Sequence, residues 1–207
     1  MWNKKRVWYI IPALVLLLTA GVARSTDNHG LIPPVEKDEH LSTLKNAALS
    51  LSSFARKNGL DDQVFFLVDM RLPSGKNRFF VYDLCRDTIL LSGLVTHGKG
   101  NSQWQPYPRF SNCEGSGCTS LGKYKIGESY KGQFGLAYKL FGLDSTNSNA
   151  YNRSIVLHAH ESVPENEVYP VPISQSEGCP TVSPQFLTRL DHLLKARKLP
   201  VMLYIFN

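Results

Sequence analysis

Residues 174–184 read Ser-Gln-Ser-Glu-Gly-Cys-Pro-Thr-Val-Ser-Pro, with Cys179 held between Gly178 and Pro180. A thiol in such a turn has the setting of a nucleophile. Covalent catalysis by cysteine needs thiolate character, a base, and donors for the oxyanion that develops on the attacked carbonyl. Gly178 lets the backbone turn sharply and offers its N–H, and Pro180 stiffens the exit. Successive N–H groups of a turn of this kind converge on an anion. A helix starting near Ser183 adds a weak positive end. The base is sought among the histidines. His158 and His160 close Ser-Ile-Val-Leu-His-Ala-His, the strongest buried-strand signal of the chain, and share one face of an ideal strand. Strand ends beside loops are rigid platforms for such groups.

The elements that position these residues follow from pattern. Leu41, Leu44, Ala48, Leu51 and Ala55 recur at three- and four-residue spacing and predict a helix over 41–59, capped by Asp38 and ended by Asn58-Gly59. From Gln63 onward the pattern becomes β. Segments 63–72, 77–84, 88–98, 123–130, 136–144 and 153–160 are rich in β-branched and aromatic residues and are separated by Gly, Asn and Pro turns. A second helix is predicted from Ser183 as cap and Pro184 in the first turn, with Phe186, Leu190, Leu193 and Leu194 on its apolar face. Residues 201–207 close the chain as a central strand. The fold class is therefore mainly β, a sandwich or barrel with a few peripheral helices.

The N-terminus carries Lys4, Lys5 and Arg6 and then an apolar run, Val7–Ala23, ending in small residues. Segment 1–23 is expected to be a cleaved signal peptide, with an N-terminal anchor as the alternative. Residues 24–40, polar and containing Pro33-Pro34, are read as a linker, and 60–207 as the catalytic domain. The chain is therefore expected to be exported, to a periplasm or cell envelope, with no membrane contact beyond that segment. Net charge is +6, and falls to +3 without Lys4, Lys5 and Arg6. That is no nucleic-acid footprint, which needs a clustered basic stripe. Scattered lysines, among them Lys76, Lys99, Lys123 and Lys125, read as solvated surface.

Four cysteines are present: Cys85, Cys113, Cys118 and Cys179. An exported chain can keep disulfides. Cys113 and Cys118 flank Glu-Gly-Ser-Gly, whose glycines permit a tight reversal, so a Cys113–Cys118 bridge is expected over free thiols. A metal clip lacks a matching second pair. Cys85 reads as a partly buried free thiol in a turn. A Cys85–Cys179 bridge stays open, and would silence the nucleophile.

The pattern Ile-Val-Leu-His-Ala-His followed by Ser-Glu-Gly-Cys-Pro-Thr-Val resembles the active-site segment of the L,D-transpeptidases of the YkuD type. His158 and Cys179 lie 21 residues apart, slightly more than is usual in that family. Upstream, Thr-Ser-Leu-Gly-Lys-Tyr-Lys-Ile-Gly is similar to the family's strand entry. The likeness to the murein L,D-transpeptidase subgroup with Ser-x-Gly-Cys-Pro covers roughly residues 62–183. It implies a β-sandwich-like domain with a cysteine in a groove. By the resemblance, Cys179 is the nucleophile and His158 the base. The carbonyl of Ala159 holds the imidazole, and N–H groups near Glu177, Gly178 and Cys179 form the oxyanion hole. The implied partner is a peptidoglycan stem peptide, joined to a second stem through a thioester, or hydrolysed by an L,D-carboxypeptidase. No cofactor and no metal are expected, and the chain is expected to be a monomer. The family's second histidine is Glu177 here. A carboxylate facing the thiol would oppose its activation, unless it points away or meets a substrate amine.

Further candidates for substrate contact are Ser176, His160, His97 and Arg153. His160 either faces the cleft beside His158 or is plain surface. His97 either lines the groove or serves a turn, and Arg153 either binds a stem carboxylate or makes a surface pair. The aromatics of Gln-Trp-Gln-Pro-Tyr-Pro-Arg-Phe, residues 103–110, either wall the groove or cover a sheet edge. Two other classes remain open. One is a zinc hydrolase using His97, His158, His160 or Cys179, although no His-Glu-x-x-His helix is present. The other is a non-catalytic wall-binding module on the same fold.

Overall fold

The computed structural model describes residues 34–207 apart from 103 and 106, with side chains from residue 39 onward. The expected signal segment and the start of the linker lie outside the described residues. The first helix, α1 (Pro34–Lys57), begins seven residues before Leu41 and takes in what reads as the end of the linker. Proline is tolerated in a first turn because its missing N–H has no partner there anyway. No further Pro or Gly interrupts 35–57, so Asp38 lies inside the helix and does not cap it. The C-terminal end matches the expectation. Leu60 N–H closes on Ala55 O at 2.9 Å, and Gly59 takes φ +66°.

Eight strands follow: β1 (Val64–Asp69), β2 (Phe79–Asp83), β3 (Thr88–Gly93), β4 (Gly122–Gly132), β5 (Gly135–Gly142), β6 (Val156–Ala159), β7 (Thr181–Val182) and β8 (Met202–Phe206). The second helix, α2 (Pro184–Lys195), lies between β7 and β8. Ser183 Oγ caps it by accepting Phe186 N–H. All eight strands form one sheet in the order β3-β2-β1-β8-β4-β5-β6-β7. The β1–β8 and β6–β7 pairs are parallel and the others antiparallel. The closing strand is central, as its unbroken apolar run requires of a strand covered on both faces.

β1 shows how the sheet is covered. Val64, Phe66 and Val68 point to the face where α2 packs through Phe186, Leu187 and Leu190. Phe65 and Leu67 point to the face where α1 packs through Leu44, Ala48, Leu51 and Ala55. Alternation sends successive side chains to opposite faces, so a strand apolar at every position needs a helix on each side. Phe186 meets Phe79 edge-on at 5.4 Å. It lies where a side chain on Gly93 would stand, 2.7 Å from an ideal Cβ there. β4 carries a register shift between Ile126 and Ser129. Beyond it the strand pairs with β5 alone, and the β4–β5 hairpin projects from the sheet.

Among the described residues, no helix is long and apolar enough to cross a membrane.

Candidate active site

Cys179 and His158 come to one cleft of about 300 Å3, together with Thr96, Lys99, Phe134 and Glu177. The architecture explains how. β6 carries His158 and pairs in parallel with the two-residue β7, which sets Thr181 opposite His158. β7 in turn fixes the chain leaving Cys179. Thr96 pairs with Thr181 through Thr96 N–H to Thr181 O at 2.9 Å, and Thr181 N–H to Thr96 Oγ1 at 3.1 Å.

The Cys179 turn is held by hydroxyls. Cys179 O accepts Ser176 Oγ at 2.6 Å and Thr96 Oγ1 at 3.2 Å. Gly178 takes φ +118°, a backbone that L side chains rarely adopt, and an ideal Cβ there would stand 2.7 Å from Cys118 O. Its N–H donates to Ser176 Oγ at 3.1 Å. The expectation that Gly178 turns its N–H into an oxyanion pocket is therefore corrected: the serine hydroxyl takes it. Ser176 likewise spends its hydroxyl inside the turn. Among the described residues, Cys179 N–H has no acceptor.

The thiol is half-buried. Cys179 Sγ accepts Val156 N–H at 3.5 Å and faces Ser154 O at 3.7 Å. Burial pushes the thiol above its ordinary range, while the Val156 N–H and the charge of Arg153 pull it back. The base candidate is tightly aligned. His158 Nδ1 lies 3.1 Å from Ala159 O. A carbonyl only accepts, so Nδ1 carries the hydrogen and Nε2 is the basic nitrogen. Nε2 meets Thr181 Oγ1 at 3.0 Å. Phe134, at the β4–β5 tip, stacks on the ring at 5.2 Å and 21°. Burial lowers the His158 pKa, partly offset by the Ala159 carbonyl. Both shifts favour the neutral form of the group.

Glu177 does not confront the thiol uncompensated. Its carboxylate pairs with Lys99 Nζ at 2.6 Å, at the mouth of the cleft. Lys99 is a cleft residue and not plain solvated surface. His160 lies exposed on the rim, its ring edge-on to Phe134 at 5.6 Å and its Nδ1 on Ser162 Oγ at 2.7 Å.

Two sequence-derived candidates are corrected. His97 does not line the groove. It is 2% exposed, with Nδ1 3.0 Å from the guanidinium of the buried Arg78. Desolvation first, and Arg78 second, bring its pKa down to about 4. Among the described residues Arg153 makes no carboxylate pair, and its guanidinium is already engaged. Its two terminal nitrogens donate to Ser111 O, Ser120 Oγ, Ser116 Oγ and Cys118 O. The guanidinium thus braces the loop that packs beneath Gly178.

The expected Cys113–Cys118 bridge is also corrected, since all four cysteines are free. Gly115 and Gly117 both take positive φ. They turn Cys118 inward, its Sγ 3.3 Å from an ideal Cβ on Gly100, and leave Cys113 exposed. Cys85 is exposed in the β2–β3 turn and not partly buried, and is unbridged to Cys179. Trp104 and Tyr107, of the expected aromatic wall, are exposed. Among the described residues, no three of His, Cys, Asp and Glu converge into a metal-holding set.

Phe134, Thr96 and Thr181 went unassigned in the sequence. An aromatic between glycines in Gly-Gln-Phe-Gly, with no core to enter, was a signal for Phe134. Nothing local marks the two threonines, which act through pairing across 85 residues.

No curated protein matches the chain. Among solved structures it is similar to the Ldtfm–avibactam carbamoyl enzyme, at 12% identity and TM-score 0.43, over 70% of this chain and 49% of that one. It is similar to the helical cell shape determining protein Pgp2 from Campylobacter jejuni, at 12% identity and TM-score 0.44, over 69% and 47%. It is also similar to an L,D-transpeptidase from Xylanimonas cellulosilytica, at 12% identity and TM-score 0.39, over 70% and 60%. The chain spans just under half the length of the first two. The model of the L,D-transpeptidase catalytic domain family matches residues 36–206, from the first turn of α1 through β8, and the chain belongs to that family.

Proposed function

We propose that this protein is an exported cysteine acyltransferase acting on peptidoglycan stem peptides. The observation that carries the reading is the cleft itself: a half-buried thiol and a histidine with an aligned tautomer open on the same space. Cys179 is the nucleophile and His158 the base. As the thiol swings from Ser154 O, Nε2 of His158 takes its proton and Sγ attacks the carbonyl at the L-centre of the diamino acid. The oxyanion is met by Cys179 N–H. Collapse breaks the bond to D-Ala, His158 returns the proton to the departing amine, and a thioester remains. An amine of a second stem then attacks, and its proton passes to His158 as the thiolate leaves. The product is a cross-link. An imidazole whose Nε2 is free of hydrogen can take the thiol proton at the moment of attack, as a general base must.

In this reading Glu177, paired with Lys99 and 72% exposed on its side chain, receives the acceptor amine. Water in place of that amine makes the same acyl-enzyme an L,D-carboxypeptidase. Intact-mass measurement after incubation with a tetrapeptide stem tests the reading. A thioester adduct is expected on the wild type and not on Cys179→Ala. Turnover by Cys179→Ala would sink it. Product masses then separate cross-linked stem from trimmed tripeptide.

A further inference from the structure

A second cleft, of about 820 Å3, is larger than the one that holds Cys179. It runs between the projecting β4–β5 hairpin and the segment from Leu194 to Val201 that joins α2 to β8. Its origin is the bulge in β4. Up to Ile126 the strand is tied to β8, with Ile126 N–H on Val201 O at 3.1 Å. From Ser129 to Gly132 it pairs with β5 only, which leaves a groove where another strand would lie.

The groove is cationic in an unusual way. It is lined by Lys125, Lys139, Lys195, Arg197 and Lys198, against the single carboxylate of Glu128. Lys195 is matched by Asp191 at 2.8 Å and Arg197 by Asp61 at 2.6 Å. Lys125 and Lys139 have aromatic rings for neighbours. Lys125 Nζ stands 4.9 Å over Phe141, and Lys139 Nζ lies 5.8 Å from Tyr130 and 5.9 Å from Tyr151. Among the described residues, Lys125, Lys139 and Lys198 have no carboxylate partner. Phe141 and Tyr151 stack at 5.3 Å and 12°, and Tyr130 and Tyr151 are exposed.

Cations spaced by aromatic rings fit a polymer that carries both sugar rings and carboxylates. The rings offer flat apolar faces and the ammonium groups offer charge. The concave shape suits a strand and not a bilayer, and three unmatched lysines are too few for nucleic acid. We propose that this groove binds the carboxylate-bearing glycan–peptide strand of the wall at a distance from the reacting stem. The inference rests on the peptidoglycan reading of the cleft. One hairpin serves both sites: its tip places Phe134 on His158, and its flank carries Lys125 and Lys139.

The test is co-sedimentation of the full chain, as Cys179→Ala, with purified insoluble peptidoglycan at low and high salt. Adding Lys125→Ala, Lys139→Ala and Lys198→Ala together should weaken retention about tenfold at low salt and flatten its salt dependence. Tyr130→Ala, which removes an exposed ring lining the groove, should weaken it about threefold at either salt. The triple variant with Cys179 intact should acylate a soluble tetrapeptide stem at the wild-type rate. Equal sedimentation of the triple variant overturns the groove. So does a loss confined to anionic lipid vesicles with wall retention unchanged. A chain that loses wall retention in the triple variant, yet never forms the tetrapeptide adduct, keeps the groove and overturns the reaction assigned to the cleft.

Discussion

Two glycine-rich turns carry thiols, and they lie against each other. One, Ser176–Thr181, holds Cys179. The other, Cys113–Thr119, holds Cys113 and Cys118. Both use left-handed glycines, and they touch where Cys118 O meets Gly178 and where Thr119 Oγ1 donates to Gly178 O at 3.1 Å. Their thiols nevertheless differ. Cys179 shares a cleft with an aligned imidazole, and its carbonyl is braced by hydroxyls. Cys118 is sealed against Gly100, and Cys113 faces solvent. A turn makes a thiol reachable, and what surrounds the sulfur decides whether it reacts.

The sharpest test of that difference is chemical. Cys179→Ala should lower turnover about a thousandfold or more, whereas Cys118→Ala and Cys113→Ala should leave it near wild type. His158→Ala should cut acylation by about a hundredfold or more, and His160→Ala should act mainly on KM. Pre-steady-state acylation of each variant checks this. A larger loss in His160→Ala would hand the role of base to the rim histidine. EDTA should leave the wild-type rate unchanged.

Backbone strain separates the two turns next. At Gly178 a Cβ meets Cys118 O at 2.7 Å with φ at +118°, while at Gly115 a Cβ meets nothing within 4 Å at φ +71°. Gly178→Ala should cost about 3 kcal/mol and displace Cys179, and Gly115→Ala about 1 kcal/mol. Denaturant midpoints measure both. Equal losses would mean that the Cys179 turn is free to move.

The contrast also marks what could be read in the sequence. The strands were legible because Val, Ile and Phe recur at positions that both faces of a covered sheet bury, and α2 because Ser183-Pro184 starts it. Cys179 and His158 were legible because a thiol between Gly and Pro, and a histidine closing an apolar strand, are local patterns. Their supports were not. Arg153 acts through carbonyls and hydroxyls 33 to 42 residues away. His97 is buried and meets Arg78, 19 residues away in the chain. β7 has two residues, too few for a period. The missing disulfide belongs to the same class, since side-chain direction within a tight turn depends on what packs behind it.

Arg153 links the two turns, and its loss should be felt in both. Arg153→Ala removes donors to four groups of the 111–120 loop and should lower stability by about 2 kcal/mol. It also removes a positive charge that favours the thiolate of Cys179. The thiol pKa, already raised by burial, should rise further, so alkylation at neutral pH should slow and its pH profile should move to higher pH. Arg153→Lys should restore part of the profile and little of the stability, because an ammonium keeps the charge but loses the fork. An unmoved profile in Arg153→Ala would confine the guanidinium to the loop.

The smallest expected effect falls on the thiols of the second turn. With Cys113 exposed and Cys118 buried, no bond is lost on replacing either. Cys113→Ser should change stability by no more than about 0.5 kcal/mol, as surface substitutions do. Cys118→Ser should cost about 1 kcal/mol, because a hydroxyl buried against Gly100 wants a partner that sulfur does not need. A bridged pair would behave otherwise: both variants would lose the same amount, and a reductant would bring the wild type down to their level. Thiol titration of the unfolded, unreduced domain separates the cases, with four thiols expected and two fewer if the turn closes on itself outside the cell.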